Sequence, residues 1–402
     1  MSTLYLHIGT PKTATTAIQL FCWENADLLR MKGYDYPKPD YKYDYVRKER
    51  NGHFFLGRGS EEVALKYKNA GYAMLEESLK NYENVILSDE NIWHYTGATD
   101  FNPWYELKEF CDLHGTVIKV IVYLRRQDDF IQSWLNQQIQ DNVTEVGMQN
   151  LSEFLANPRY IIFDYYELLE RIAKVVGKEN ITARVFESSK FEGNGHTIQS
   201  DFLKQIGLEM TDEFTVADQK ANITLSRNVC EIKREINKII FDREDAKRFF
   251  KKVTTSYPEA CKNKENSQWF SLEERQEFLS TLADSNEKLA REYFGLDAET
   301  PFHTDMRDLP KWTPDNAYMR EDIIQYFAAA DLLLLEEIQK LKDNASKNKK
   351  KLKEYKKQLE EYKKKTDAQG KKLVHYKEII DDLGKHNSAY RALRKIKYKF
   401  TK

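Results

Sequence analysis

Two stretches of this chain combine residue types that grip anions. The first is Gly9-Thr10-Pro11-Lys12-Thr13-Ala14-Thr15-Thr16, which lies between an apolar run, Leu4 to Ile8, and a helical pattern from Thr13 to Arg30. A turn of small residues ahead of a helix leaves backbone N–H groups at the helix's positive end, a ready cradle for phosphate or sulfate. Lys12 adds a point charge, and the hydroxyls of Thr13, Thr15 and Thr16 add donors. The turn is not the nucleoside-triphosphate loop G-x-x-x-x-G-K-[ST]. Pro11 stands where that loop needs glycine, and Lys12 follows Gly9 by three residues rather than six.

The second stretch is Arg125-Arg126-Gln127-Asp128-Asp129-Phe130-Ile131-Gln132-Ser133, directly after the apolar run Val117 to Leu124. Arg125 at a strand end and Ser133 in the following helix suit a second phosphate, with a guanidinium fork and a hydroxyl donor. The competing reading pairs Arg125 with Asp128 or Asp129 as a surface ion pair. Two residues suit a general base. Glu90, in Ser88-Asp89-Glu90-Asn91, follows an apolar run, and His53, in Asn51-Gly52-His53, lies in a long intervening segment. His7 reads as part of a core strand.

These groups need a scaffold that brings strand ends together. Leu4–Ile8, Val85–Ser88, Val117–Leu124 and Asn180–Phe186 read as buried strands, with helices expected over Thr13–Arg30, Asp128–Gln140 and Ile198–Ile206. Strand–helix alternation predicts an α/β fold, a parallel sheet flanked by helices, with ligands at the carboxyl ends of its strands. Tyr34 to Gly59, aromatic and turn-rich, is expected to be a long functional loop. Its aromatics, with Trp93, Trp104 and Trp134, suit stacking on sugar rings.

Taken together, the motifs resemble the sulfotransferases that use 3′-phosphoadenosine 5′-phosphosulfate (PAPS), in the bacterial style that opens H-I-G-x-P-K-T. Here that opening is His7-Ile8-Gly9-Thr10-Pro11-Lys12-Thr13. The likeness extends through residues 1–210 and does not reach the C-terminal segment. It implies that Gly9 to Thr16 form a P-loop-like turn for the 5′-phosphosulfate and that Arg125 and Ser133 hold the 3′-phosphate. Arg184-Val185-Phe186-Glu187, Asp201-Phe202-Leu203 and Gly207-Leu208 resemble the later strand and helix, with Phe186 at the adenine. Ala17 stands where cytosolic relatives carry an adenine-stacking Trp. Ala14 replaces the usual Gly, which requires a negative φ there. Asn222 to Arg227 is the candidate for the segment that closes over the 3′-phosphate. The implied reaction moves a sulfuryl group from PAPS to a hydroxyl, with Lys12 at the leaving oxygen, Glu90 or His53 as base, and no metal. The expected acceptor is a glycan or glycolipid. An atypical P-loop nucleotide kinase and a non-catalytic coiled-coil scaffold with a degenerate nucleotide site are the alternatives.

Length and charge bound the rest. The chain has 402 residues, 41% of them apolar, enough for a sizeable core. Its net charge of −1 conceals a split: from Ala330 onward there are 22 Lys/Arg and 11 Asp/Glu, against a net of −12 before it. An acidic body argues against nucleic acid as ligand. Four scattered cysteines fit no disulfide framework and suit a reducing compartment. With no apolar run long enough to span a bilayer and no signal peptide, a cytoplasmic protein is expected. From Leu334 to Leu383, twelve of the fifteen positions at alternating steps of four and three are apolar or aromatic, Asn348, Thr366 and Gln369 excepted, a heptad seam that predicts a homo-oligomeric coiled coil. Arg391 to Lys402 carries six basic residues and no acid, a composition suited to peripheral contact with an anionic membrane. The expected organisation is a sulfotransferase domain at 1–325, a coiled-coil helix at 330–384 and a basic tail at 385–402.

Overall fold

Parallel strands covered on both faces must be apolar without alternation, and the runs identified in the sequence behave so. In a computed structural model, which describes residues 2–41, 46–57, 60–98, 102–140, 162–216, 225–240, 244–262 and 266–386, they form one sheet. Strands β1 (Ser2–His7), β2 (Tyr34–Asp35), β3 (Asn84–Ser88), β4 (Thr116–Leu124) and β5 (Ile181–Val185) lie in the order β2-β3-β1-β4-β5, each pair parallel. Leu4, Leu6, Val85, Leu87, Val120 and Val122 are fully or almost fully buried along the three central strands. The sheet therefore places the carboxyl ends of β1, β3 and β4 side by side.

The helix expected over Thr13–Arg30 is two helices, α1 (Thr15–Glu24) and α2 (Ala26–Met31). Asn25 makes the break. Its side-chain amide donates to the carbonyls of Phe21 and Thr215 at 2.8 and 2.7 Å, and its carbonyl oxygen accepts the Thr215 N–H at 2.8 Å. An Asn that bonds locally and to a distant loop competes with helix continuation. Then follow α3 (Glu61–Asn81), α4 (Asn91–Ala98), α5 (Asn102–Leu113) and α6 (Gln127–Gln140). Next come α7 (Tyr165–Val176), capped by Asp164, and α8 (Ile198–Gln205), opened by a Thr197–Ser200 capping box.

The described part of Tyr34–Gly59, expected as a long loop, is tied into the core. It supplies edge strand β2 and a 3-10 turn at His53–Leu56, and it buries Tyr36, Phe54, Phe55 and Leu56. Asn51 stitches it to the sheet, donating to the Ile86 and Pro37 carbonyls and accepting the Ser88 N–H at 2.8 Å. Gly52 lies against β3 so closely that a Cβ there would sit 3.3 Å from the Ser88 carbonyl carbon.

Beyond the sheet come α9 (Arg227–Ile240), α10 (Glu244–Ser256), α11 (Leu272–Ser280) and α12 (Ala283–Phe294). The last two are tied to α6 through buried polar groups. Arg275 donates to Asp128 at 2.6 and 2.9 Å, and Gln127 donates to Asn286 at 2.7 Å. The chain divides into two units, Met1–Phe327 and Ala328–Lys402. The second unit holds most of α13 (Met319–His386), whose seam side chains stand exposed along its length. Almost all of the 385–402 tail lies outside the described residues.

Candidate functional site

The turn after β1 is locked to the end of β4 by its own backbone. Thr10 N–H donates to the Tyr123 carbonyl at 2.9 Å, and Tyr123 N–H donates to the Gly9 carbonyl at 2.7 Å. The Thr10 hydroxyl adds a 3.1 Å bond to the same Tyr123 oxygen, and the Thr13 hydroxyl donates to the Thr10 carbonyl at 2.6 Å. Of the hydroxyls expected to face a ligand, that of Thr13 is therefore turned into the turn itself. Those of Thr15 and Thr16, at the start of α1, make no hydrogen bond among the described residues.

Ala14 overturns an expectation. Its φ is +57°, in the left-handed region, and it forms the N-cap of α1. From there its carbonyl accepts the Ala17 and Ile18 N–H groups at 2.8 and 3.3 Å. The sharp entry from turn to helix sets this geometry, and for a residue with a Cβ it costs on the order of 1–2 kcal/mol. Lys12 is also left-handed, at φ +69°. The helix that Ala14 opens offers first-turn N–H groups with no intrahelical acceptor.

Strand β4 delivers two consecutive arginines with different employment. Arg126 is buried and pairs in bidentate fashion with Asp128, at 2.6 and 3.0 Å, and also reaches His303 and the Asp305 carbonyl. Asp128 receives Arg275 as well. Burial works against its charge, and the two guanidiniums outweigh burial and lower its pKa. Asp129 lies 4.0 Å from Arg126 and 3.8 Å from Arg275. Both carboxylates that could have absorbed Arg125 are thus satisfied elsewhere. The Arg125 guanidinium makes no ion pair or hydrogen bond among the described residues, and only its carbonyl is bonded, by Tyr165 Oη at 2.7 Å.

Lys12 reaches across to the helix that follows Arg125, donating to Gln137 Oε1 at 3.3 Å. Ser133 and Gln137 are four residues apart on α6, hence on one face. The turn after β1, Lys12, Arg125 and the Ser133 face of α6 therefore gather at the ends of β1 and β4. Phe186, just after β5, is partly buried against the same apolar cluster as Ala14, and its N–H donates to the Leu124 carbonyl at 2.7 Å. Ala17 lies buried in that cluster. Residues 217–224 are outside the described set, and with them the first half of Asn222–Arg227; Leu225 and Ser226 are buried.

On the other side of β1, Glu90 adjoins the turn. A Cβ on Gly9, whose φ is +107°, would lie 3.2 Å from both Cα and Cβ of Glu90. Gln19 of α1 donates to Glu90 Oε2 at 2.6 Å, and Arg50 stands 3.4 Å from Oε1. The Glu90 side chain keeps 18% of its surface exposed. His53 differs: it is 1% exposed, and its Nδ1 meets Asp89 Oδ2 at 2.9 Å. Asp89 also takes a bidentate bond from Arg50, at 2.5 and 3.0 Å, and caps α4 by accepting the Asn91 N–H. Burial opposes its charge, but Arg50 and His53 outweigh this and hold its pKa at about 2. His7, next along β1, is also wholly buried. Its Nδ1 meets Ser88 Oγ at 2.8 Å, and desolvation lowers its pKa to about 3 against the pull of Asp89.

Arg50, Asp89 and Gln19 were missed in the sequence. Arg50 and Asp89 stood in it, Arg50 immediately before Asn51-Gly52-His53 and Asp89 immediately before Glu90, but nothing in the linear order pairs residues 39 apart. Trp93, Trp104 and Trp134 are core residues, not sugar platforms. The Trp93 indole donates to the Ile162 carbonyl and that of Trp104 to Thr96, because large rings at these positions fill the space beneath helices. The glycan expectation loses that support. All four cysteines are buried thiols, and no cluster of metal-ligating side chains occurs among the described residues. No helix among them is long and apolar enough to cross a membrane.

No family model matches the chain. An uncharacterized protein of Archaeoglobus fulgidus is 26% identical over 255 residues, covering 60% of this chain and 65% of that protein, just under two thirds of its length. Among solved structures, a sulfotransferase from Alicyclobacillus acidocaldarius aligns over 60% of this chain and 92% of its own, at 17% identity and a TM-score of 0.34. An overlap that low carries no argument about activity, which must come from the site.

Proposed function

We infer that this protein is a sulfotransferase that moves a sulfuryl group from PAPS to a hydroxyl-bearing acceptor. One observation carries the reading: Arg125, with no ion pair among the described residues, stands at the end of the strand whose Tyr123 is hydrogen-bonded to both Gly9 and Thr10 of the anion turn. Two anion grips on adjacent strand ends suit a nucleotide with phosphates at both its 5′ and 3′ positions. The alanine and threonine amides that open α1 hold the 5′ group, and Arg125 with Ser133 hold the 3′ group. Phe186 borders the base.

In the reaction the acceptor oxygen attacks sulfur in line, forming a new S–O bond. The bond from sulfur to the bridging oxygen of the 5′-phosphate breaks, and adenosine 3′,5′-bisphosphate leaves. Lys12 stabilises the charge that grows on that bridging oxygen. The acceptor's proton passes to a base. Glu90 is the better placed of the two candidates, because it borders Gly9 and retains exposure, whereas His53 is buried with its Nδ1 committed to Asp89. Gln19 and Arg50 hold the Glu90 carboxylate in place, and positioning of this kind supplies much of the rate in group transfer between oxygens.

Calorimetry and thermal shift with adenosine 3′,5′-bisphosphate, ATP and AMP test the reading on the wild type, Lys12→Ala and Arg125→Ala. Selective binding of the bisphosphate, weakened tenfold or more by Arg125→Ala, is the expected result. Equal binding of ATP, or no binding of the bisphosphate, would overturn it.

A further inference from the structure

The long helix α13 presents its apolar seam between two lysine-rich rails. The seam residues Leu334, Ile338, Leu341, Leu352, Tyr355, Leu359, Tyr362, Leu373 and Tyr376 are between 45% and 68% exposed. A seam repeating every 3.5 residues specifies a partner helix, and the residues flanking it decide which partner and which orientation.

Here the flanks are rich in lysine. On one side the positions following each alternate seam residue are Lys342, Lys349, Lys356, Lys363 and Lys377, interrupted by Gly370 and preceded by Leu335. On the other side the positions preceding the seam are Lys351, Lys365 and Lys372 among the uncharged Asn344, Gln358 and Ile379, with Glu337 the sole acid on either rail between residues 335 and 379. The helix does not lack acids, but they lie elsewhere: Asp343, Glu354, Glu360, Glu361 and Glu378 occupy the outer positions. The segregation weighs against the homo-oligomer expected from the seam alone. In a parallel pair of copies Lys351 would face Lys356 and Lys372 would face Lys377, with Glu337 opposite Lys342 as the one pair of unlike charge. In an antiparallel pair each lysine rail would face itself. Like charges across a seam are destabilising and discriminate against that partner.

We propose that α13 is a docking helix for a different protein, one that offers an apolar helical seam flanked by glutamate or aspartate. The apolar residues supply affinity, and the lysine rails select an acidic partner helix over a second copy of this chain. Over residues 334–380 the helix offers a straight site roughly 70 Å long at 1.5 Å per residue. This rests on the charge pattern and the exposed seam, independently of the reaction assigned to the body.

The test uses the full chain and two synthetic helical peptides with the same Leu/Ile seam, one with Glu at every flanking position and one with Lys. Fluorescence anisotropy at low and high salt reads binding, and sedimentation reads self-association. The expected results are a chain that sediments as a monomer at micromolar concentration, at least about tenfold tighter binding of the Glu peptide, and weakening of that binding by added salt. Replacing Lys342, Lys349, Lys356 and Lys363 together by Glu should reverse the peptide preference, with circular dichroism confirming that the helix persists. Self-association of the wild type with no peptide binding would overturn the proposal in favour of a homo-oligomer. Equal affinity for the two peptides would remove the charge selection. Binding to phosphatidylserine vesicles without binding to the Glu peptide would assign the helix to a membrane surface instead.

Discussion

Gly9 and Glu90 meet without space for a side chain between them: a Cβ built on Gly9 would approach Glu90 Cα and Cβ to 3.2 Å and the Pro11 nitrogen to 3.1 Å. With φ at +107°, Gly9 is also in a conformation that other residues rarely adopt. The contact brings the proposed anion turn and the proposed base to one place. Gly9→Ala is therefore expected to lower unfolding free energy by about 1–3 kcal/mol in urea titrations and to reduce bisphosphate binding at the same time. A variant with wild-type stability and binding would show that the turn does not depend on this contact.

Adjacent arginines allow a paired experiment. Arg125→Ala should leave the melting temperature close to wild type and weaken adenosine 3′,5′-bisphosphate, because a charged hydrogen-bonded contact contributes roughly 1.5–3 kcal/mol. Arg126→Ala should do the reverse. It strips one of two guanidiniums from buried Asp128 and should cost up to about 3 kcal/mol of stability, with Arg275 limiting the loss. Equal losses of stability in both variants would contradict this division of labour.

The two base candidates separate in the same way. Glu90→Gln keeps the shape of the side chain and should lower kcat by roughly a hundredfold to ten-thousandfold, with donor binding retained. His53→Asn should instead act mainly on stability, by about 1–3 kcal/mol, because it breaks the buried contact with Asp89. Steady-state kinetics beside chemical denaturation tells these apart, and a kcat unaffected by Glu90→Gln would remove Glu90 as the base.

Ala14 holds a left-handed φ that glycine adopts without strain. Ala14→Gly should relieve that strain while loosening the unfolded chain, for a net gain of up to about 1 kcal/mol, visible as a rise in melting temperature. A fall would mean that packing of the Ala14 methyl against the apolar cluster outweighs its backbone strain.

Acid should destabilise the protein early. His7 has a folded pKa near 3 against an ordinary 6.5, so the unfolded chain binds its proton first. Its contribution is complete above pH 6.5 and is lost as pH falls from there toward 3, at a slope of up to about 1.4 kcal/mol per pH unit. Asp89, depressed from 3.8 to about 2, adds a further loss only below pH 4. Urea unfolding between pH 7 and 5 should show the decline in the wild type, and His7→Gln should flatten it. A wild type whose stability is level over that range would mean that His7 titrates normally.

Several features could be read from residue order. The central parallel strands announced themselves because a strand buried on both faces is apolar along most of its length, and β1, β3, β4 and β5 begin and end within two residues of the expected limits. The turn after β1 was legible because its small residues are contiguous between a strand and a helix, and the heptad seam because its period is local. Only the tertiary structure decided the rest. It broke the first helix at Asn25 through a bond to Thr215, 190 residues away, and it gave Arg126 rather than Arg125 to the buried carboxylates. It also joined Gln19, Arg50, Asp89 and Glu90 into one network and consigned the tryptophans to the core. Each of these turns on which groups find partners when distant segments are brought together. Hydrogen bonds and desolvation act over a few ångströms in space, and the linear order of residues does not encode those distances.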